Sequence, residues 1–430
     1  MSARSSILLL LRIRLAGLVV AVLLIWLPAG PLMGENAAAD WPQFLGPTRD
    51  GLYSGPPLGK DWPKEGPPKL WEAKVGQGFS GPVVAAGKLI LFHRLADKET
   101  VECFDAIHGQ ALWKKDYASD FRDTIRSEDD GPRSTPAIAG DCVFTFGAEG
   151  MLHCWRLGTG EKVWAVDVKS KFSVPNGFFG MACSPLVEGN AVLLNVGGRD
   201  GAGIVAFDKA NGKVLWQATE DEASYSSPIA ATIQKKRYAF FFTRKHLTAV
   251  EPATGKVVFE FPWTPRINAS VSAATPLIVD DLIFISASYG AGAALLRFRE
   301  PEPEKLWSGD DILSNHYATS VHHDGFLYGF DGRQEQGCNL RCVELKRGKV
   351  QWSQDGFGAG SILLAKDQML ILTEKGELIR ALAAPAEFKA NARAQILPFT
   401  ARACPALAQG LFYARSKDKL VCLDLRGASQ

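Results

Sequence analysis

Apolar and polar residues alternate along Ile204–Trp216, IVAFDKANGKVLW, on both sides of an Asn-Gly pair. Alternation of period two on either side of Asn-Gly predicts two strands joined by a tight hairpin turn. The same phrase recurs as VECFDAIHGQALW (Val101–Trp113), LHCWRLGTGEKVW (Leu152–Trp164), LTAVEPATGKVVF (Leu247–Phe259) and LRCVELKRGKVQW (Leu340–Trp352), with ALLRFREPEPEKLW (Ala294–Trp307) a looser copy. The chain is therefore a repeat protein, and the repeat must be settled before any single motif is weighed.

Each repeat opens on a small residue followed by Pro, at Pro82, Pro136, Pro185, Pro228, Pro276 and Pro405, with looser openings at Ser320 and Ile362. Successive anchors lie 54, 49, 43, 48, 44, 42 and 43 residues apart. That is the period of four-stranded propeller blades, roughly 40–50 residues. The last repeat stops at LVCLDLRG without a Trp strand, while Pro67–Trp71, PPKLW, is a Trp strand with nothing before it. The two ends are expected to complete one blade and close the ring, which removes exposed sheet edges. The expected fold is all-β, an eight-bladed propeller of four-stranded antiparallel blades closed by an N-terminal strand. Seven blades is the runner-up, because Gly360–Leu397 lacks the Gly-x-x-x-Trp phrase. Trp71, Trp113, Trp164, Trp216, Trp307 and Trp352 recur at one repeat position, so they are read as blade-docking residues buried between neighbours.

Residues 1–39 read as a signal peptide: Arg4, Arg12 and Arg14, an apolar run over Leu15–Leu27, then Ala37-Ala38-Ala39. The mature chain is expected to begin at Asp40 in the periplasm or outside the cell, with an uncleaved inner-membrane anchor as the alternative. Residues 40–66 are rich in Gly and Pro but carry Trp41, Phe44, Leu45, Tyr53 and Trp62, so they read as an ordered lead-in packed on the propeller of residues 67–427. No further apolar run is long enough to span a membrane. A net charge of +2 predicts no nucleic-acid partner, and a monomer is expected.

WPQFLGPTRDG (Trp41–Gly51), GPRSTPAI (Gly131–Ile138), NHYATSV (Asn315–Val321), LYGFDG (Leu327–Gly332) and LVCLDLR (Leu420–Arg426) carry a closer resemblance. With the S-P openings and terminal Trp, the chain resembles the pyrroloquinoline-quinone (PQQ)-like β-propeller repeat family, and within it a secreted bacterial subgroup. The resemblance implies the fold but not an activity, because propellers host enzymes and scaffolds alike.

Candidate chemistry is sparse. Cys103, Cys154, Cys342 and Cys422 share one repeat position, where Ala206 and Ala249 stand in other repeats, and read as small core residues. A local Cys338–Cys342 disulfide is the alternative. No Cys-x-x-Cys exists, so no metal site is expected. His322 and His323 are expected on a solvated outer loop. His316 reads first as a satisfied structural histidine. Neither an adjacent Cys pair, as in quinoprotein dehydrogenases, nor a Gly-x-Ser-x-Gly elbow is present. No catalytic residue is therefore assigned and no cofactor is expected; PQQ with calcium is the alternative, with no residue set behind it. The loops from each Trp strand to the next blade should gather at the channel mouth. They nominate Arg122, Arg126, Arg133, Asn176, Tyr225, Asn268, Asn315, His316 and Tyr317 as ligand-binding residues. A positive, hydrogen-bonding mouth would suit an anionic or polyhydroxylated ligand.

The expected function is a non-enzymatic binding or scaffold propeller for an unknown protein or small ligand. One alternative is a divergent quinoprotein-type oxidoreductase acting on alcohols or sugars. The other is an envelope-assembly scaffold similar to the propeller of outer-membrane barrel assembly.

Overall fold

The computed structural model describes residues 39–60, 62–123, 129–175, 177–265 and 271–427. Ala39 apart, the segment read as a signal peptide lies outside them. Eight antiparallel sheets follow one another around a ring. We number the blades from the first complete one. Blade 1 holds Val83–Ala85, Lys88–Leu95, Lys98–Asp105 and Ala111–Ala118, and each later blade repeats this inner-to-outer order. Blade 8 holds Ala406–Ala408, Leu411–Arg415 and Lys419–Asp424, and takes its outer strand from Lys69–Lys74. Trp71 stands opposite Cys422 and Glu72 opposite Val421, so the ring closes as the repeat arithmetic requires. Gly360–Gln395 forms a complete blade 7 despite its missing Trp, which settles eight blades over seven.

The Gly-x-x-x-Trp phrase works between repeats rather than within one. Trp71, Trp113, Trp164 and Trp216 each lie over the turn glycine of the next blade: an added Cβ on Gly109, Gly160, Gly212 or Gly255 would meet the respective ring at 2.5–2.7 Å. Those glycines also have φ of 68–73°, where a side chain is strained. The indole N–H donates to the carbonyl three residues before that glycine: Trp71 to Ala106, Trp113 to Leu157, Trp164 to Lys209, Trp216 to Pro252 and Trp307 to Leu345, at 2.8–3.0 Å. Trp352 likewise donates to Ala384 at 2.9 Å. Trp71, Trp164 and Trp352 are buried, whereas Trp113, Trp216 and Trp307 are only half-buried. Across the strand pair Trp113, Trp164, Trp216, Trp352 and Trp71 face a small residue, Cys103, Cys154, Ala206, Cys342 and Cys422 in turn, whereas Trp307 faces Leu295. In the first five the Trp ring occupies the room that a larger side chain would need. All eight cysteines are free, Cys338 and Cys342 included.

The lead-in crosses the ring. Trp41 exchanges two backbone hydrogen bonds with Val84 of blade 1, and Pro42 accepts from Ile138 of blade 2. The buried Arg49 guanidinium donates to Ser184, Pro185 and Pro228 carbonyls of blades 3 and 4. Burial pulls its pKa down to about 9, so three carbonyls and Gln43 stand in for the carboxylate it lacks. Leu52–Tyr53 then adds a parallel strand inside blade 7. Further on, the Gly59 N–H donates to Leu425, and Arg380 donates to the Gly59 carbonyl. This segment covers the seam between blades 7 and 8, where no Trp docks.

Candidate functional site

The loops that lead into each inner strand surround one cup at the channel mouth, about 510 Å³ in volume. Its walls are aromatic: Phe79, Phe178, Phe179, Tyr225, Tyr289 and Tyr317. Phe44 and Leu45 of the lead-in also line it. The cup has the volume of a small-molecule site.

Four of the sequence-nominated residues line it: Arg133, Tyr225, His316 and Tyr317. Arg126, Asn176 and Asn268 lie outside the described residues. Arg122 does not line it. It lies instead in a separate surface depression and pairs with Asp97 at 2.8 Å and Asp130 at 3.8 Å, more than half exposed. Asn315 is buried in the wall, donating to the Phe330 carbonyl at 2.9 Å and accepting from Ser320 at 3.0 Å. It stands in the wall behind His316 and is not among the lining residues. Arg402, one of the residues that the connecting loops carry in the sequence, lines the cup as well. Gln334 and Glu335 also line it and were not nominated; they reach in from within blade 6, a placement the period cannot signal.

Among the described residues the arginines of the mouth are paired. Arg133 is held between three rings, with its guanidinium carbon 5.5, 5.7 and 5.3 Å from the centroids of Phe79, Phe121 and Phe179. It donates to Asp123 at 3.0 Å and to the Asp129 and Gly131 carbonyls. Burial pulls its pKa down and the two aspartates oppose that. Arg402 donates through Nε to Glu374 at 2.8 Å and stacks on Phe79. The Tyr317 hydroxyl donates to the same Glu374 oxygen at 2.6 Å, and burial beside that carboxylate drives its pKa far up. The charges of this wall are thus largely matched within it.

His316 is a satisfied histidine. Its Nδ1 meets the Gln334 side-chain oxygen and its Nε2 meets the Tyr289 hydroxyl at 2.9 Å. Donation to Gln334 fixes the tautomer with hydrogen on Nδ1, leaving Nε2 to accept. Burial lowers its pKa, so it is neutral at pH 7. His322 and His323 are not on an outer loop: they end the inner strand Val321–His323 and are half-buried. The outer loop was inferred from the Asp-Gly turn, but that turn joins the first two strands of a blade.

Among the described residues no carboxylate cluster lines the cup, and the one grouping able to hold a cation, Asp221, His246 and Glu260, lies outside it. There Asp221 accepts from Thr243 at 2.6 Å and contacts His246 Nδ1 at 2.6 Å, which accounts for both groups.

Comparison with known proteins agrees with the architecture. A family model described as outer membrane protein assembly factor BamB matches residues 97–354, more than half of the chain. The chain is 21% identical over 273 residues to BamB of Shewanella oneidensis, covering 50% of this chain and 66% of that one. The structure is similar to BamB from Moraxella catarrhalis, with a TM-score of 0.60, 15% identity and coverage of 84% and 99% of the two chains. It is also similar to quinohemoprotein alcohol dehydrogenase from Comamonas testosteroni, with a TM-score of 0.64, 13% identity and coverage of 92% and 82%. At these identities the solved structures show the shared fold alone. The match across the repeats, with eight blades closed by Trp71, places the chain in the PQQ-like β-propeller family to which outer membrane protein assembly factor BamB belongs.

Proposed function

We propose that this chain is an extracytoplasmic binding and scaffold propeller of the cell envelope, engaging its partner at the channel mouth without chemistry of its own. The carrying observation is the aromatic cup, with lead-in residues Phe44 and Leu45 among its lining. A concave aromatic surface with its polar side chains mostly committed suits capture rather than catalysis. Membership of the BamB family supports a place in envelope assembly, and the segment before Asp40 supports export. None of the described helices is long and apolar enough to cross a membrane.

Affinity capture from an envelope fraction tests this reading. Wild-type protein should retain partners that a Phe79→Ala, Tyr225→Ala double variant loses at a temperature where circular dichroism shows both folded. Equal capture by both would move the working surface away from the cup. Amino-terminal sequencing of the exported protein should begin near Asp40. A thermal shift with PQQ and calcium, together with dye-linked alcohol oxidation, would overturn the non-enzymatic reading.

A further inference from the structure

The residue just before each anchor position is Gly81, Thr135, Ser184, Ser227, Thr275, Thr319, Ser361 or Cys404. Four of these hydroxyls close the ring from blade to blade by accepting a backbone N–H from the preceding blade. Thr135 Oγ1 accepts from Gly81 at 3.0 Å, Ser184 Oγ from Thr135 at 3.0 Å, Ser227 Oγ from Ser184 at 2.9 Å, and Thr319 Oγ1 from Thr275 at 3.0 Å. All four residues are more than nine-tenths buried, and all four line the cup. A hydroxyl has one proton to give besides its lone pairs. In these four the lone pairs serve the fold, and among the described residues no acceptor takes the protons.

A buried O–H without an acceptor is costly, so these protons favour acceptor atoms inside the cup. Arg402 adds to them. Its Nε is bound to Glu374, its face lies 5.7 Å from the Phe79 centroid, and its two Nη groups have no partner among the described residues. The donors are therefore the serine and threonine hydroxyls and a guanidinium end, while the remaining wall is aromatic. Phe178, 44% exposed at the rim, extends that apolar wall outward.

We propose that the cup takes a flat, apolar-bodied ligand carrying a carboxylate head, with the head on Arg402 and the hydroxyl belt and the body between the phenylalanine and tyrosine rings. This deepens, and rests on, the reading of the cup as the binding site. It narrows the expected anionic or polyhydroxylated ligand to a carboxylate, which only accepts, where the belt and Arg402 offer protons.

Calorimetric titration of the full chain with 2-naphthoate, and with 2-naphthamide as its uncharged counterpart, tests the proposal. The acid should bind at least about tenfold more tightly, the weight of a charge-assisted hydrogen bond. Arg402→Gln should erase that preference, and Arg402→Lys should keep part of it. A Thr135→Val, Ser184→Ala double variant should weaken the acid only. The hydroxyl variant also loses two blade-to-blade hydrogen bonds and should melt lower, so its acid-to-amide preference is read at a temperature where circular dichroism shows it folded, and the Arg402 variants carry the test independently of it. Gly-Gly-Phe as free acid and as amide distinguishes a polypeptide C-terminus from a free aromatic acid, and preference for either acid supports the ligand class. Equal binding of naphthoate and naphthamide, or an Arg402→Gln variant that keeps the preference, overturns the carboxylate head and leaves the cup a binding site. Failure of all four compounds to bind overturns the cup reading as well.

Discussion

Trp71 donates its indole N–H to the Ala106 carbonyl at 3.0 Å, and so the first strand of the propeller, already paired into blade 8, is pinned to blade 1. Its ring packs 6.3 Å from Phe104 and 6.0 Å from Tyr413, one in each blade. One side chain thus joins the two ends of the ring.

Trp71→Ala should cost about 3–5 kcal/mol, the range for emptying a large aromatic site. Trp71→Phe keeps the ring burial but loses the N–H, and should cost nearer 1 kcal/mol, leaving the Ala106 carbonyl to its bond from Tyr413. Trp216 is only half-buried, so Trp216→Ala belongs at or below the low end of the alanine range. Denaturant unfolding of the three variants checks the order. Equal losses for Trp71→Ala and Trp71→Phe would show that the hydrogen bond, not the ring, closes the propeller.

Arg122 and Arg133 should separate cleanly. Arg133→Ala removes the guanidinium from beside the buried Asp123 carboxylate and empties the three-ring sandwich; breaking a buried pair in this way costs about 3–5 kcal/mol. Arg122 pairs with an aspartate that is 78% exposed, and its loss should cost less than about 1 kcal/mol. Chemical denaturation measures both, and comparable values would mean that the two arginines share one environment.

Stability should fall on acidification between about pH 6.5 and 4. His153 is buried between Tyr117 and Trp155, with centroids 4.4 and 4.7 Å away. Burial lowers its pKa from 6.5 to about 4. Between those values the unfolded chain takes a proton that the folded chain refuses, so folding loses free energy as pH drops through that window. The loss is of order 2–3 kcal/mol for this residue. His93, His316 and His322 are shifted in the same direction, burial being the largest cause in each. His153→Phe should flatten the acid limb of a stability–pH curve in proportion; an unchanged limb would remove His153 from the account.

The lead-in should be sensitive at Gly46. It has φ of 83°, and an added Cβ would lie 2.9 Å from the Trp41 ring. Gly46→Ala therefore combines backbone strain with a clash against a fully buried indole, and should destabilise by roughly 1–3 kcal/mol. The same variant should weaken ligand binding, because Phe44 and Leu45 line the cup. Binding at wild-type strength by a destabilised Gly46→Ala protein would show that the cup does not depend on the lead-in.

Blade number, strand order and ring closure were legible in the sequence because each rests on local rules. Alternation places side chains on the two faces of a strand, Asn-Gly and Thr-Gly make the turns, and a strand missing at one end must be supplied by the other. The Trp position was legible too, but its partner was not: the glycine beneath each ring belongs to the next blade, and contacts between repeats leave no local period. The cup was legible only as a set of loops. Which loop residues face it depended on pairings across blades, so Asn315 was drawn into the wall by Phe330 and Ser320 while Arg122 turned outward to Asp97. The sign of the mouth depended on them as well, since Glu374 meets Arg402 and Tyr317 only once blades 6, 7 and 8 stand side by side. Local periodicity determines a ring; the charge and donors at its centre are decided by groups far apart in sequence, which only closure of that ring brings into contact.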